Sequence, residues 1–327
     1  MKRAVTIFLA TICGIASGAD DVPLMHIESN DERILMKRGE KVILVYNKVP
    51  TPEAEENDPV FTRTGYIHPV YTPSGKEVTG DYAADHPHQH ALFFAWTKTS
   101  FEGRSPEFWN QKKKAGRVSY VRTLDSIGGR ERATLVVEHL WEDTMAPEGA
   151  KPVLKETWAI NAHDAGEDRF VFDIVSAQWL IGENPFTIEK YHYGGMAIRG
   201  HDEWFHEDKN VKPPSTMLTS EGLDRIEGNH SRPRWVAMEG PVDGAHAGIA
   251  VLAHPKNFRF PQWVRLHPTK PYFVFAPMVE EPFQVTSGTP YVSRYRYVVY
   301  DGRIEAEEVD RRWDEYSKTT PASLRRP

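Results

Sequence analysis

The 327-residue chain reads as an all-β protein, a large antiparallel β-sandwich closed by one C-terminal helix. Three observations predict this. Apolar and polar residues alternate in short runs along the chain, the period that a half-buried strand requires. Twenty-four Pro and 23 Gly punctuate those runs and aromatic residues make up 11% of the chain, a balance that favours strands and turns over a helical bundle. Helical periods are missing between the runs, so a parallel βαβ architecture lacks support.

Taken in order, residues 41–46, 66–71, 91–98 and 116–122 are the first strand candidates. In 132–141, Ala133, Leu135 and Val137 point one way while Thr134, Val136 and Glu138 point the other. Residues 153–160 follow, and then Phe170, Phe172 and Ile174 share a face with Asp173 opposite. Segments 189–198, 248–253 and 272–275 come next, and Tyr295, Tyr297 and Val299 share a face opposite Arg294 and Arg296. Turn chemistry separates these runs at Thr72-Pro73-Ser74-Gly75, Gly128-Gly129, Ala146-Pro147-Glu148-Gly149 and Thr286-Ser287-Gly288. Only the tail carries a helical period: Ala306, Val309, Trp313 and Tyr316 form one stripe among Glu and Arg residues.

The N-terminus reads as a secretory signal peptide. Lys2-Arg3 precede an apolar stretch from Ala4 to Ile15, and Ser17-Gly18-Ala19 supply the small residues of a cleavage site. Cleavage after Ala19 leaves residues 20–327 as a single β-sandwich domain, periplasmic or secreted. The one cysteine, Cys13, lies within the leader, so the mature chain has no thiol for disulfides, thiolate metal sites or nucleophilic catalysis. A net charge of −6 supplies no field for nucleic acid or anionic lipid. Beyond the leader no apolar run approaches membrane-span length, so neither nucleic acid nor membrane insertion is expected.

Chemistry concentrates in Asp85-His86-Pro87-His88-Gln89-His90. In an extended chain His86, His88 and His90 project to one side. Three readings of this cluster stand. The imidazoles bind one divalent metal ion, completed by His68 or Glu102; or one of them is a general acid or base near neutral pH, with no cofactor; or they hydrogen-bond loop backbone. Glu189-Lys190-Tyr191-His192-Tyr193-Gly194-Gly195 is a second polar-aromatic group, whose paired glycines allow a bulge or the close approach of a ligand. Glu156 shares a strand face with Leu154, Trp158 and Ile160 and so faces a pocket or the core. Glu281, with Glu280, precedes the last strand. Aromatic rings among carboxylates, His and Arg suit sugar recognition, because pyranose faces stack on rings while polar groups take the hydroxyls.

The run Gly65-Tyr66-Ile67-His68-Pro69-Val70-Tyr71-Thr72-Pro73-Ser74-Gly75, followed by the 85–90 element, resembles the PmoA-like family of exported bacterial proteins. The resemblance continues through Phe108-Trp109, Tyr193-Gly194-Gly195, Gly248-Ile249-Ala250 to His254-Pro255, and Arg294-Tyr295-Arg296 to Asp301-Gly302. It implies a galactose-mutarotase-like supersandwich, a fold in which His and a carboxylate serve as acid and base on a sugar. The expectation is therefore an exported protein that binds and processes a carbohydrate in a concave face. His88 and His192 are the acid and base, with Glu156 or Glu281 as carboxylate partner. His68, His86, His90 and Arg294 bind hydroxyls, and Trp96 and Tyr193 stack on the ring. The rivals are a metal-dependent oxygenase or lyase built on His86, His88 and His90, and a non-catalytic carbohydrate-binding module.

Overall fold

The computed structural model describes residues 23–52, 58–208, 210–320 and 324. The expected leader, residues 1–19 with Cys13, lies outside the described residues. The first strands are β1 (Met25–Ser29), β2 (Arg33–Arg38), β3 (Lys41–Asn47), β4 (Tyr66–Val70), β5 (Leu92–Ala95) and β6 (Thr99–Ser100). Four long ones follow: β7 (Gly116–Ile127), β8 (Arg132–Asp143), β9 (Lys151–His163) and β10 (Arg169–Leu180). Next come β11 (Phe186–Ile188), β12 (Gly195–Arg199), β13 (Thr216–Thr219), β14 (Trp235–Val242) and β15 (Ala245–Ala253). The last are β16 (Val264–Leu266), β17 (Tyr272–Phe275), β18 (Phe283–Val285) and β19 (Tyr291–Asp301), before the helix α1 (Ala306–Ser317).

Two eight-stranded sheets carry most of these strands. One runs β1-β2-β3-β4-β5-β12-β17-β16 and the other β13-β14-β15-β19-β10-β9-β8-β7, while β18-β11-β6 forms a small third sheet. The strands pair antiparallel. The protein is thus the large antiparallel sandwich with a C-terminal helix that the sequence predicts. One apolar cluster fills the space between the large sheets, joining Tyr46, Tyr66 and Phe94 of the first to Leu135, Trp158, Phe172 and Tyr297 of the second.

Strand alternation places side chains as expected. Phe172 lies opposite Tyr297 with stacked rings 4.8 Å apart in the inter-sheet core. One residue on, Asp173 opposes Arg296 on the other face and the two make an ion pair at 2.7 Å. On that outer face α1 covers Trp235, Leu252, Val298 and Tyr300 with its stripe, burying Val309 and Tyr316. Two expectations need correction. The strand expected over 189–198 begins only at Gly195, because Gly194 and Gly195 adopt φ of +135° and +128°. A Cβ on Gly195 would sit 2.5 Å from the carbonyl oxygen of Phe275, so glycine lets the chain press against β17 and leaves 189–194 as a loop. The strand expected over 91–98 is likewise only the four residues of β5. Among the described residues no helix is long and apolar enough to cross a membrane.

Candidate functional site

The extended geometry expected for residues 85–90 is not what the chain adopts. Two tight turns run through it, with backbone hydrogen bonds from His86 N to Ala83 O and from Gln89 N to His86 O, both 2.9 Å. A turn abolishes the two-residue side-chain period, so the three histidines do not share one side. His86 and His88 remain neighbours, their ring centroids 5.1 Å apart, at the mouth of a pocket of about 320 Å³. His90 turns inward and is fully buried, its Nδ1 2.8 Å from Asp81 and its Nε2 2.8 Å from Gln111. With both nitrogens of His90 engaged, the three-histidine metal set is dispersed. Among the described residues no group of three or more His, Asp, Glu or Cys is placed to hold a metal ion.

Four stretches of chain build the pocket. The turns bring His86, His88 and Gln89; the loop ahead of β12 brings His192 and Tyr193; the loop after β6 brings Trp109 and Asn110. The β16–β17 hairpin adds Arg265, His267 and Tyr272. Trp109 is the central ring, packing edge-on against Tyr193 at 5.0 Å and Tyr272 at 5.7 Å. Among the described residues no Asp or Glu lines the cavity.

The nearest carboxylate lies one layer behind. Asp85 Oδ1 pairs with Arg199 Nη2 at 2.7 Å and Oδ2 with Lys270 Nζ at 2.6 Å. Arg199, fully buried on β12, also donates to Gln89 Oε1 at 3.1 Å. His86 Nδ1 stands 3.0 Å from Asp85 Oδ2 and 2.9 Å from Lys270 Nζ, which leaves Nε2 to meet a ligand. Burial pushes the Asp85 carboxyl up, but hydrogen bonding to His86, Arg199 and Lys270 outweighs it and holds the group far below the usual carboxylate range.

The other imidazoles are kept neutral. Burial, reinforced by the charges of His86 and His90, pushes His88 down to about 3. Burial, with Arg265 and Lys270, likewise pushes His267 down to about 3. His192 is lowered by burial and by Arg265 and His230. The rings of His88 and His192 make no hydrogen bond to a described residue, so their nitrogens are open to a ligand. His267 differs: its Nδ1 accepts from the backbone N–H of Thr269 (3.3 Å) and Lys270 (3.2 Å). That pattern assigns the proton of the neutral ring to Nε2 and makes His267 a donor.

Neutral buried histidines carry an acid-stability cost with a definite sign. The unfolded imidazoles take up protons below about pH 6.5, whereas His88 and His267 do so in the folded chain only near 3. Stability is therefore lost as pH falls through that window, by at most about 1.4 kcal/mol per pH unit for each ring and less after solvent screening. The double substitution His88→Gln with His267→Gln is expected to flatten the fall of melting temperature between about pH 6 and pH 4. Thermal unfolding at several pH values checks this, and parallel curves for the two proteins would contradict it.

The remaining candidates lie elsewhere. Glu156 is fully buried between the sheets, where its carboxylate accepts hydrogen bonds from Trp141 and Trp158 (both 2.8 Å), Ser176 (2.5 Å) and Gln178 (3.1 Å). His139 Nδ1 stands 3.2 Å from it and His139 Nε2 2.5 Å from the Tyr46 hydroxyl. Burial pushes Glu156 up, but the hydrogen bonds of His139, Ser176 and Trp158 win and hold it below its ordinary value. Trp96 belongs to the same core: it is fully buried and donates to Gln178 Oε1 at 2.7 Å, so it offers no stacking face. Glu281 is exposed and paired with Arg259 at 2.8 Å. His68, on β4, has Nδ1 3.1 Å from the Thr79 hydroxyl. Arg294, on β19, donates to the carbonyl of Lys256 at 3.1 Å. None of these five lines the pocket. Asp85, Trp109, Arg265, His267 and Tyr272, which belong to the pocket or stand directly behind it, carry no spacing or motif that marks a role for them in the sequence.

Among solved structures, the chain is similar to heparan sulfate lyase HepC from Pedobacter heparinus, at 11% identity and a TM-score of 0.37, over 86% of this chain. It spans 38% of the length of that lyase chain. A galactose mutarotase related enzyme from Lactobacillus acidophilus is similar at 8% identity and a TM-score of 0.37, over 86% of this chain and 100% of that one. No curated protein matches by sequence. Residues 33–314 match DUF6807, a family of unknown function. That span takes in both large sheets except β1, together with every residue that lines the pocket, and the chain belongs to this family.

Proposed function

We propose that this is an exported carbohydrate-active protein of the PmoA-like kind, which holds a sugar in the pocket and moves protons on it. The observation that carries the reading is the meeting of Trp109, Tyr193 and Tyr272 with four histidines around about 320 Å³. Tyr193, partly exposed over the buried Trp109 and Tyr272, offers the face on which a pyranose stacks, while imidazoles, Gln89 and Asn110 match hydroxyls that both donate and accept. His88 and His192, with open ring nitrogens, are the acid/base pair of this reading; both imidazoles are neutral near pH 7, so each enters the reaction as a base or as an N–H donor. The carboxylate in this scheme is Asp85, a positioning residue acting through His86, in place of Glu156 and Glu281.

The test is a screen of oligosaccharides for binding by calorimetry and for turnover by product analysis. Wild type is expected to bind and convert at least one, and His88→Ala and His192→Ala each to lower turnover by about 10²–10⁴-fold. Full turnover in both variants would remove the acid/base assignment. Binding without any turnover in wild type would favour the binding-module alternative, and absence of binding across the screen would defeat the carbohydrate reading itself.

A further inference from the structure

We propose that the pocket selects an anionic sugar, a uronate or a sulfated unit, and that Arg265 receives the negative group. The inference rests on the carbohydrate reading above and narrows it to a ligand class.

Arg265 sits on β16, partly buried in the pocket wall. Its one hydrogen bond to a described residue is a long one of 3.3 Å, from Nη1 to the carbonyl of Leu266. No carboxylate among the described residues forms an ion pair with it. Arg199, Arg296, Arg104 and Arg169 are paired to Asp85, Asp173, Asp143 and Glu308. Arg63 and Arg225 form no ion pair either, but they donate to the carbonyls of Phe94 at 2.7 Å and Ser215 at 2.6 Å, where Arg265 has only its long contact. A partly buried guanidinium without a counter-charge is unfavourable, and its planar fork fits a carboxylate or sulfate in two-point contact.

A second observation is independent of that charge. The Tyr272 hydroxyl, on a side chain only 3% exposed, is buried in the pocket wall with no hydrogen-bond partner. Burial pushes it far above its ordinary value, so it stays a donor. Buried hydroxyls are seldom left unpaired, and on a residue of the pocket wall an unpaired one is a donor that a bound acceptor would satisfy. His267 on the same hairpin presents Nε2–H by the tautomer its backbone contacts impose. The β16–β17 hairpin thus contributes three donors and a positive charge to a cavity lined by no acid. Neutral hydroxyls do not need such a wall; an acceptor-only anion does.

Calorimetry of wild type with glucose, glucuronate and glucose 6-sulfate, and with the galactose counterparts, tests this. At least one anionic sugar is expected to bind about 10- to 100-fold tighter than its neutral parent, the range of a charge-assisted pair. Arg265→Gln is expected to bring that ratio close to one, and Arg265→Lys, which keeps the charge but not the fork, to restore part of it. Equal binding of neutral and anionic sugars, or a preference that survives Arg265→Gln, would overturn the inference and leave the carbohydrate reading standing. Inorganic sulfate bound as tightly as the anionic sugar would overturn it as well, because recognition would then be of a free anion. If no sugar of either kind binds, the broader reading fails and takes the inference with it.

Discussion

Glu156→Ala is expected to destabilise the protein by about 3–5 kcal/mol, the cost of breaking a buried hydrogen-bonded charge site. In a chain of this size that is a fall of roughly 10 °C in melting temperature. The magnitude follows from what the carboxylate holds. The indole N–H groups of Trp141 and Trp158, the Ser176 hydroxyl and the Gln178 amide all donate to it. His139 joins from β8 and carries the network to Tyr46 of the opposite sheet. Truncation leaves these donors buried without an acceptor and opens a cavity beside two tryptophans. Glu156→Gln keeps the volume but offers an N–H₂ to a ring of donors, so it is expected to lose stability too, by a smaller amount. Because Glu156 does not line the pocket, the folded fraction of either variant retains the ligand affinity of wild type. Calorimetry and thermal unfolding read both effects. A loss below about 1 kcal/mol for alanine would mean that the donors find other partners.

The same residue marks the limit of what the sequence discloses. Its place on a strand face with Leu154, Trp158 and Ile160 says that it points inward, and it does. Whether inward means a cavity or the space between sheets depends on strands more than a hundred residues away, Tyr46 among them. The strands β8, β10 and β19 are legible because part of each alternates on its two faces, whereas β14, at eight residues, carries no clear alternation and is not predicted. Those of two to four residues, such as β16, are too short to show a period. Arg265 and His267 therefore carry no sequence signal of their own, although Val264 and Leu266 beside them are buried. The histidine cluster is visible in the sequence, but its side-chain directions are not. Period-two reasoning holds only for extended backbone, and Pro87 sits in a pair of turns that sends His90 inward, away from His86 and His88. Tyr193 and His192 reached the pocket because Gly194 and Gly195 permit a crowded backbone there, the one local signal that stood in the sequence.

Asp85→Asn is expected to reduce turnover by about 10²–10⁴-fold, the range seen when a histidine loses its orienting carboxylate. Asn is nearly isosteric, so the substitution removes charge rather than shape. Arg199, fully buried, and Lys270 then share a site with no counter-charge, at an expected cost near the lower end of about 3–5 kcal/mol since Asp85 keeps some contact with solvent. The sign of its pH dependence is fixed by the depressed carboxyl. Its contribution to stability is present above the ordinary Asp value of about 3.9 and is lost only as the pH falls below it. A structural role alone would lower the melting temperature and leave the kcat of folded protein intact. A positioning role lowers kcat well below the melting transition with little change in KM, since His86 Nε2 is misdirected while the rings and the Arg265 wall still hold the sugar. Asp85→Glu, which restores the charge on a longer arm, should recover stability more fully than kcat. If kcat in Asp85→Asn stays within about threefold of wild type at temperatures where the protein is folded, then His86 needs no orientation from Asp85, and the carboxylate serves only as the ion-pair partner of Arg199 and Lys270.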